Sequence, residues 1–288
     1  MTSGVIPIAP WQLAFASVFV VAALCIMVVM KLGIARQYAW AALRGFVQVL
    51  ILGYALSWLF HLDSGLMVIA VLLFMSGVAS LTVAKRVNNV PGSISPIIFT
   101  VLFFICLLIT FTVTGLIVRV KPWYLPQYVI PIGGMVLGNS MTGIAIALER
   151  LFKDMDARED EMRGMIALGA TPKEAAMPSI RSALRAGLIP NINTLAAVGI
   201  VFIPGMMSGQ ILAGTAPYKA APYQIVILLM VSAADAIGSA LATRMLYRRR
   251  FNSEGAFIPF APKKKPSFRE KFSLPQKKND NGTRHFGA

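Results

Sequence analysis

The sequence has little of what soluble enzymes and disulfide-bonded proteins are built from. Of 288 residues, two are cysteine and two histidine, and only 14% are charged. Cys25 and Cys106 both lie inside apolar runs, which excludes a disulfide framework and a cysteine-built zinc site. His285 lies near the C-terminus and His61 stands two residues before Asp63, too sparse a set for a histidine-built transport site. Soluble domains carry nearer a quarter charged residues, so a water-facing globule is not expected. Acidic groups are also scarce, 12 against 27 Lys and Arg, for a net charge of +15. The basic residues sit in short blocks between apolar stretches rather than over a surface. In a membrane protein such blocks set orientation, so nucleic acid is not expected as a partner. No nucleophile–base or metal-ligand constellation stands out, and the chain is not expected to be an enzyme.

What is abundant is apolar: 57% of the residues are hydrophobic. A spanning helix needs roughly 20 predominantly apolar residues. Seven stretches qualify, from about Trp11 to Met30, Ala39 to Phe60, Leu66 to Ala84, Ile94 to Val118, Tyr128 to Leu148, Leu188 to Leu212 and Tyr223 to Leu246. Arg44 and Gln48 interrupt the second, and Pro190 and Pro204 mark the sixth as kinked or broken. The fold expected is an all-α polytopic membrane helix bundle of about seven transmembrane helices. With the N-terminus outside, only Arg119, Lys121 and Lys219 of the 27 basic residues fall on the outer side, which places the C-terminus in the cytoplasm. No basic residue precedes Lys31, so the first span is not read as a cleavable signal peptide.

Residues 1–260 form the expected membrane domain, interrupted by one long cytoplasmic segment at about 150–187. There Met162, Met165, Ile166 and Leu168 recur at helical spacing before Gly169 and Pro172 break the pattern. Thr171 and Glu174 make a capping box with Pro172 at the first helical position. The reading is helix, sharp turn, helix. Residues 261–288 read as a basic, disordered cytoplasmic tail held against anionic lipid.

Gly164 to Thr171 nearly spells a phosphate-binding loop but lacks its lysine, and no strand precedes it. The chain therefore has no nucleotide site of its own. Small residues recur every fourth position at Gly134 and Gly138, Gly205 and Gly209, and Ala234, Gly238 and Ala242, where helix backbones could approach closely. Polar groups inside spans are costly and seldom face lipid. Asp235 lies mid-span with no basic residue within a helical turn, so it pairs with another helix or touches a cation. Asn139 and Ser140 in GNSMTG, Asn191 and Asn193, and Gln210 in GMMSGQ could line a polar path or bond helix to helix. Thioethers such as that of Met206 suit soft metals, or fill gaps in a packed interior.

Four blocks in order, Arg44-Gly45-x-x-Gln48, GGMVLGNSMTG from Gly133, ALGATPKEA from Ala167 and IPNINTLAAVGIVFIPGMMSGQILAG from Ile189, resemble the FetB-type (UPF0014) ABC transporter permeases. That group includes bacterial iron exporter permeases and plant aluminium-tolerance half-transporters. The resemblance covers about residues 8 to 258. It implies an inner-membrane permease that works as a homodimer with a separate ABC ATPase subunit. ATP and Mg would be bound by that partner and no cofactor by this chain. It also implies that Arg163, Gly169, Ala170, Thr171 and Glu174 couple to the ATPase. Of the Glu-Ala-Ala-x-x-x-Gly pattern of importer permeases only Gly169 is matched. The substrate path expected is Asn139, Ser140, Asn191, Asn193, Met206, Gln210 and Asp235. A stand-alone ion-coupled secondary transporter, with Asp235 as its relay, is the alternative.

Overall fold

Proline opens four of the helices: Pro10, Pro126, Pro172 and Pro217 occupy the first helical position, where a missing N–H breaks no helical bond. The computed structural model describes residues 8–61, 64–87 and 90–259. Along these run α1 (Pro10–Val29), α2 (Ala35–Leu59), α3 (Gly65–Arg86), α4 (Ser95–Phe111), α5 (Pro126–Ala157), α6 (Glu159–Ala167), α7 (Pro172–Ala197), α8 (Gly205–Leu212) and α9 (Pro217–Leu246). A π-helical turn, Thr112–Ile117, extends α4, and a 3-10 turn, Tyr247–Arg250, extends α9. Only two isolated bridges and no strand occur among the described residues. Asp63 and the tail from residue 260 lie outside them, so the pairing with His61 and the basic tail are not described.

Six helices are long and apolar enough to cross a membrane: α1, α2, α3, α4 with its π turn, α5, and α9 with its 3-10 turn. The stretch 188–212, read as a sixth of seven spans, is not one helix. It consists of the last turns of α7, an irregular segment, and the eight-residue α8. Gly199 takes φ +79°, its N–H donates to the Phe202 carbonyl at 3.0 Å, and Pro204 caps α8. A glycine in the left-handed region followed by a proline stops one helix and starts the next. Arg44 and Gln48 do not interrupt α2, which runs unbroken for 25 residues.

The core is built around α5, which packs on α3, α4, α7 and α9. Leu72, Ile98, Leu102, Ile144, Leu148 and Leu151 are buried between these helices. α1 and α2 pack chiefly on each other, and Leu59 is their one buried described residue. At the end of the bundle that carries α6, ion pairs tie the helices together. Arg86 on α3 reaches Glu149 on α5 at 3.3 Å, and buried Arg250 pairs with Asp156.

Candidate functional site

Two glycines bring α5, α7 and α9 to a common point. A Cβ added at Gly187 on α7 would lie 2.9 Å from the Ala147 Cβ and 2.9 Å from the Gly143 carbonyl oxygen of α5. A Cβ added at Gly143 would overlap the Asp235 carboxylate. The acid on α9 thus occupies the volume that any side chain at 143 would need. Asp235 is 4% exposed and accepts hydrogen bonds from Asn191 Nδ2 and Ser239 Oγ, both at 3.4 Å. No ion pair includes it among the described residues. A charge at this depth costs roughly 2.5–3.5 kcal/mol on insertion scales. Neutral donors offset part of that, and a cation would offset more.

Asp235 lines a cavity of about 200 Å³ together with Asn139, Thr142, Asn191, Thr194 and Gln224. The polar groups are hydroxyls and amides with one carboxylate, donors suited to a hard or partly hydrated cation, set in a wall that also includes the Met135 thioether and the apolar Ile227, Leu228 and Val231. No group of three or more His, Cys, Asp or Glu that could hold a metal ion occurs among the described residues. Pro190 lines the cavity too and has no N–H to give the Ala186 carbonyl, which loosens α7 beside Asn191.

Of the residues expected on the path, Asn139, Asn191 and Asp235 meet here. Met206 and Gln210 line a second cavity of about 340 Å³, with Thr215, Lys219 and Tyr223. Gln224 stands between the two: it lines the first, and its Oε1 accepts from the Met207 backbone N–H at 3.3 Å. Ser140 is fully buried elsewhere on α5, and Asn193 lies on the exposed side of α7. Sequence reasoning missed Thr142, Thr194, Gln224, Gly143 and Gly187. Gln224 sits one residue inside the apolar run from Tyr223, where it reads as a boundary group, but α9 begins seven residues earlier at Pro217. Of the small-residue stripes the α9 one is a packing seam, and the α5 one packs at Gly134, where an added Cβ would meet Met75 Cε at 3.3 Å. An added Cβ at Gly238 would meet Ile144 Cδ1 at 3.1 Å, whereas Gly138, Gly205 and Gly209 face open space.

The connector between α5 and α7 is rigid for local reasons. Acidic Glu159, Asp160 and Glu161 start α6 favourably for its dipole, and Arg158 and Arg163 pair with Glu161 and Glu159. Met162, 1% exposed, anchors α6 to the core. Its end is a Schellman motif: Gly169, at φ +94°, donates to Ile166 O at 2.9 Å and Ala170 to Met165 O at 3.0 Å. Thr171 then caps α7. Its N–H and hydroxyl both donate to Glu174 Oε2 at 2.8 Å, and its Oγ1 accepts from the Glu174 N–H at 3.3 Å. The Thr171 backbone N–H, and then its hydroxyl, hold the Glu174 carboxyl below the usual carboxylate range. The box is therefore intact at and above the ordinary carboxylate pKa and is lost only as pH falls through the lowered value. The five residues expected to couple, Arg163, Gly169, Ala170, Thr171 and Glu174, all lie in this one turn and its flanks. At its tip stands Leu168, an apolar side chain 91% exposed.

No solved structure gives a significant match to the chain. Among known proteins it is 36% identical to the UPF0014 membrane protein slr1647 of Synechocystis sp., over 80% of this chain and 89% of that one. It is 31% identical to the Probable iron export permease protein FetB of Escherichia coli, over 88% and 96%. It is also 29% identical to the Protein ALUMINUM SENSITIVE 3 of Arabidopsis thaliana, over 81% and 84%. With its apolar helices, these place it among multi-pass membrane proteins. A family model described as Uncharacterised protein family (UPF0014) matches residues 10–251, and the chain belongs to that family.

Proposed function

We propose that this chain is the permease subunit of an ATP-driven ABC transporter that exports iron or another metal ion across the inner membrane. ATP and Mg would bind a separate ATPase subunit docked on the cytoplasmic connector. The observation that carries the reading is the continuity of α7. One helix runs from the capped turn at Thr171 to Asn191 in the Asp235 cavity, 20 residues or about 30 Å away at 1.5 Å per residue. A push on the turn is carried along this one helix to the residue that holds the carboxylate, with Pro178 and Pro190 as the places where it can bend. Gly143 and Gly187 present no side chain to obstruct small movements where α7 crosses α5. The metal-ion substrate is drawn from the relative named as an iron export permease and suits a cavity whose polar groups are hydroxyls, amides and one carboxylate without an ion-pair partner among the described residues.

The test is co-expression with a candidate ABC ATPase from the same organism, purification through a tag on this chain, and reconstitution. The expected result is a stable complex and metal flux that requires ATP. If the purified chain alone moves metal down an ion gradient, the ion-coupled carrier replaces this reading.

Two copies are proposed to meet at the irregular segment between α7 and α8. Ile200 and Val201 are 88% and 78% exposed there, on backbone that has left the helix. Non-helical backbone at membrane depth needs protein or water beside it rather than lipid, and a second copy provides the cover. In a chain with Cys25 and Cys106 replaced by serine, Val201→Cys should yield a disulfide-linked dimer in oxidised membranes. Cross-linking no stronger than that of a cysteine on lipid-facing α1 would exclude this seam.

A further inference from the structure

A second feature lies at the connector-side border of the bundle and takes no part in the path. Pro178, Arg181, Ser182, Arg185, Ala186 and Ile189 follow one face of α7, and with Arg150 of α5 they line a cleft of about 560 Å³. Arg150 Nε donates to Ser182 Oγ at 3.1 Å, which fixes its guanidinium across the cleft. Its one acidic neighbour is Asp154, at 3.8 Å.

Four other arginines at this end are matched by acids, whereas Arg244, Arg248 and Arg249 at the end of α9 have no ion-pair partner among the described residues and do not line this cleft. Arg86 has Glu149, Arg158 has Glu161, Arg163 has Glu159 and Arg250 has Asp156. Arg181 and Arg185 have no carboxylate or other ion-pair partner among the described residues. They stand four positions apart on the helix, where like charges repel. With Arg150 they present three guanidiniums to one cleft, an arrangement an anion between them would stabilise. The chemistry changes along the cleft. Arg181 and Ile189 are eight residues, or about 12 Å, apart along the axis, and Ala186 and Ile189 form the inner end, beside Gly187 where α7 enters the packed bundle. A charged outer end and an apolar inner end match a phosphate attached to an acyl chain.

We propose that this cleft is a binding site for the phosphate of an anionic phospholipid, held by Arg150, Arg181 and Arg185 with the first part of the acyl chain against Ile189. Guanidinium forks match phosphate oxygens in a way that ammonium groups do not. Occupancy would brace α7 against α5 below the cavity.

The experiment uses the purified full-length chain in a neutral detergent, titrated in parallel with phosphatidylglycerol, phosphatidylcholine and inorganic phosphate, with bound lipid counted by native mass spectrometry. Phosphatidylglycerol is expected to bind saturably and to raise the unfolding temperature, with the other two having little effect. A basic side chain near an anionic surface contributes about fivefold in affinity, so Arg181→Gln with Arg185→Gln should weaken binding roughly 30-fold. Should that variant fail to fold, Ile189→Asn, which keeps all three guanidiniums, should weaken the lipid alone. Arg36→Gln, on α2, controls for general attraction and should bind as the parent does. The proposal is overturned if the double variant, or Ile189→Asn in its place, binds phosphatidylglycerol like the parent, if Arg36→Gln weakens binding as much, or if phosphate or phosphatidylcholine stabilises equally well.

Discussion

Gly143→Ala is expected to lower metal transport about tenfold or more while the protein still inserts. The added methyl group falls on the Asp235 carboxylate, so either α9 moves off α5 or the acid leaves its bonds to Asn191 and Ser239. Overpacking of this kind costs about 1–3 kcal/mol. That is enough to shift an equilibrium between two access states by roughly 5–150-fold if the cost falls on one of them. It falls on the state in which α5, α7 and α9 converge, because a more open state gives the methyl group room. Gly77→Ala, on α3 with nothing within 4 Å of an added Cβ, provides the control. Both variants are quantified in membranes by fluorescence-detected size exclusion before efflux is measured. Efflux by Gly143→Ala at the parental rate would show that the carboxylate's seat against α5 is not used in transport.

Leu168→Glu is expected to uncouple the chain from the ATPase subunit proposed above without disturbing its own fold. Leu168 projects from a turn whose hydrogen bonds are all made by backbone or by Thr171 and Glu174, so replacing it breaks none of them. Burying a leucine at an interface is worth about 1.5–3 kcal/mol, and an unpaired carboxylate buried in the same place costs several more. The complex should weaken by about 100-fold or more, read as loss of the ATPase from a pull-down and of flux from reconstituted vesicles. Leu168→Met, of similar volume, should keep both. If the Glu variant pulls down its ATPase undiminished, the tip of the connector is not the docking point, and the mechanical reading of α7 loses its input.

How much was legible in the sequence depends on how local the cause is. The connector was readable almost residue by residue, because Leu168-Gly169-Ala170-Thr171-Pro172 encodes a left-handed stop and a capped start that need nothing beyond neighbouring backbone. The spans were readable from length and apolarity, and Gly199 and Pro204 account for the break in the stretch that was counted as one. The site was half readable. Asp235, Asn139 and Asn191 announce themselves as polar groups in apolar runs, but so do Ser140 and Asn193, and no periodicity says which of the five face one another.

From the sequence alone it followed that the chain is a helical membrane protein with a tightly capped turn outside the spans, since hydrocarbon thickness and backbone capping act on contiguous residues. Only the tertiary structure decided which of the polar groups in the spans converge on one cavity. Gly143, Gly187 and Asp235 come from three helices separated by more than 40 residues at each step, and their meeting is governed by the close approach of backbones rather than by any one side chain. Gly143 looks like one more small residue until the carboxylate opposite it is seen.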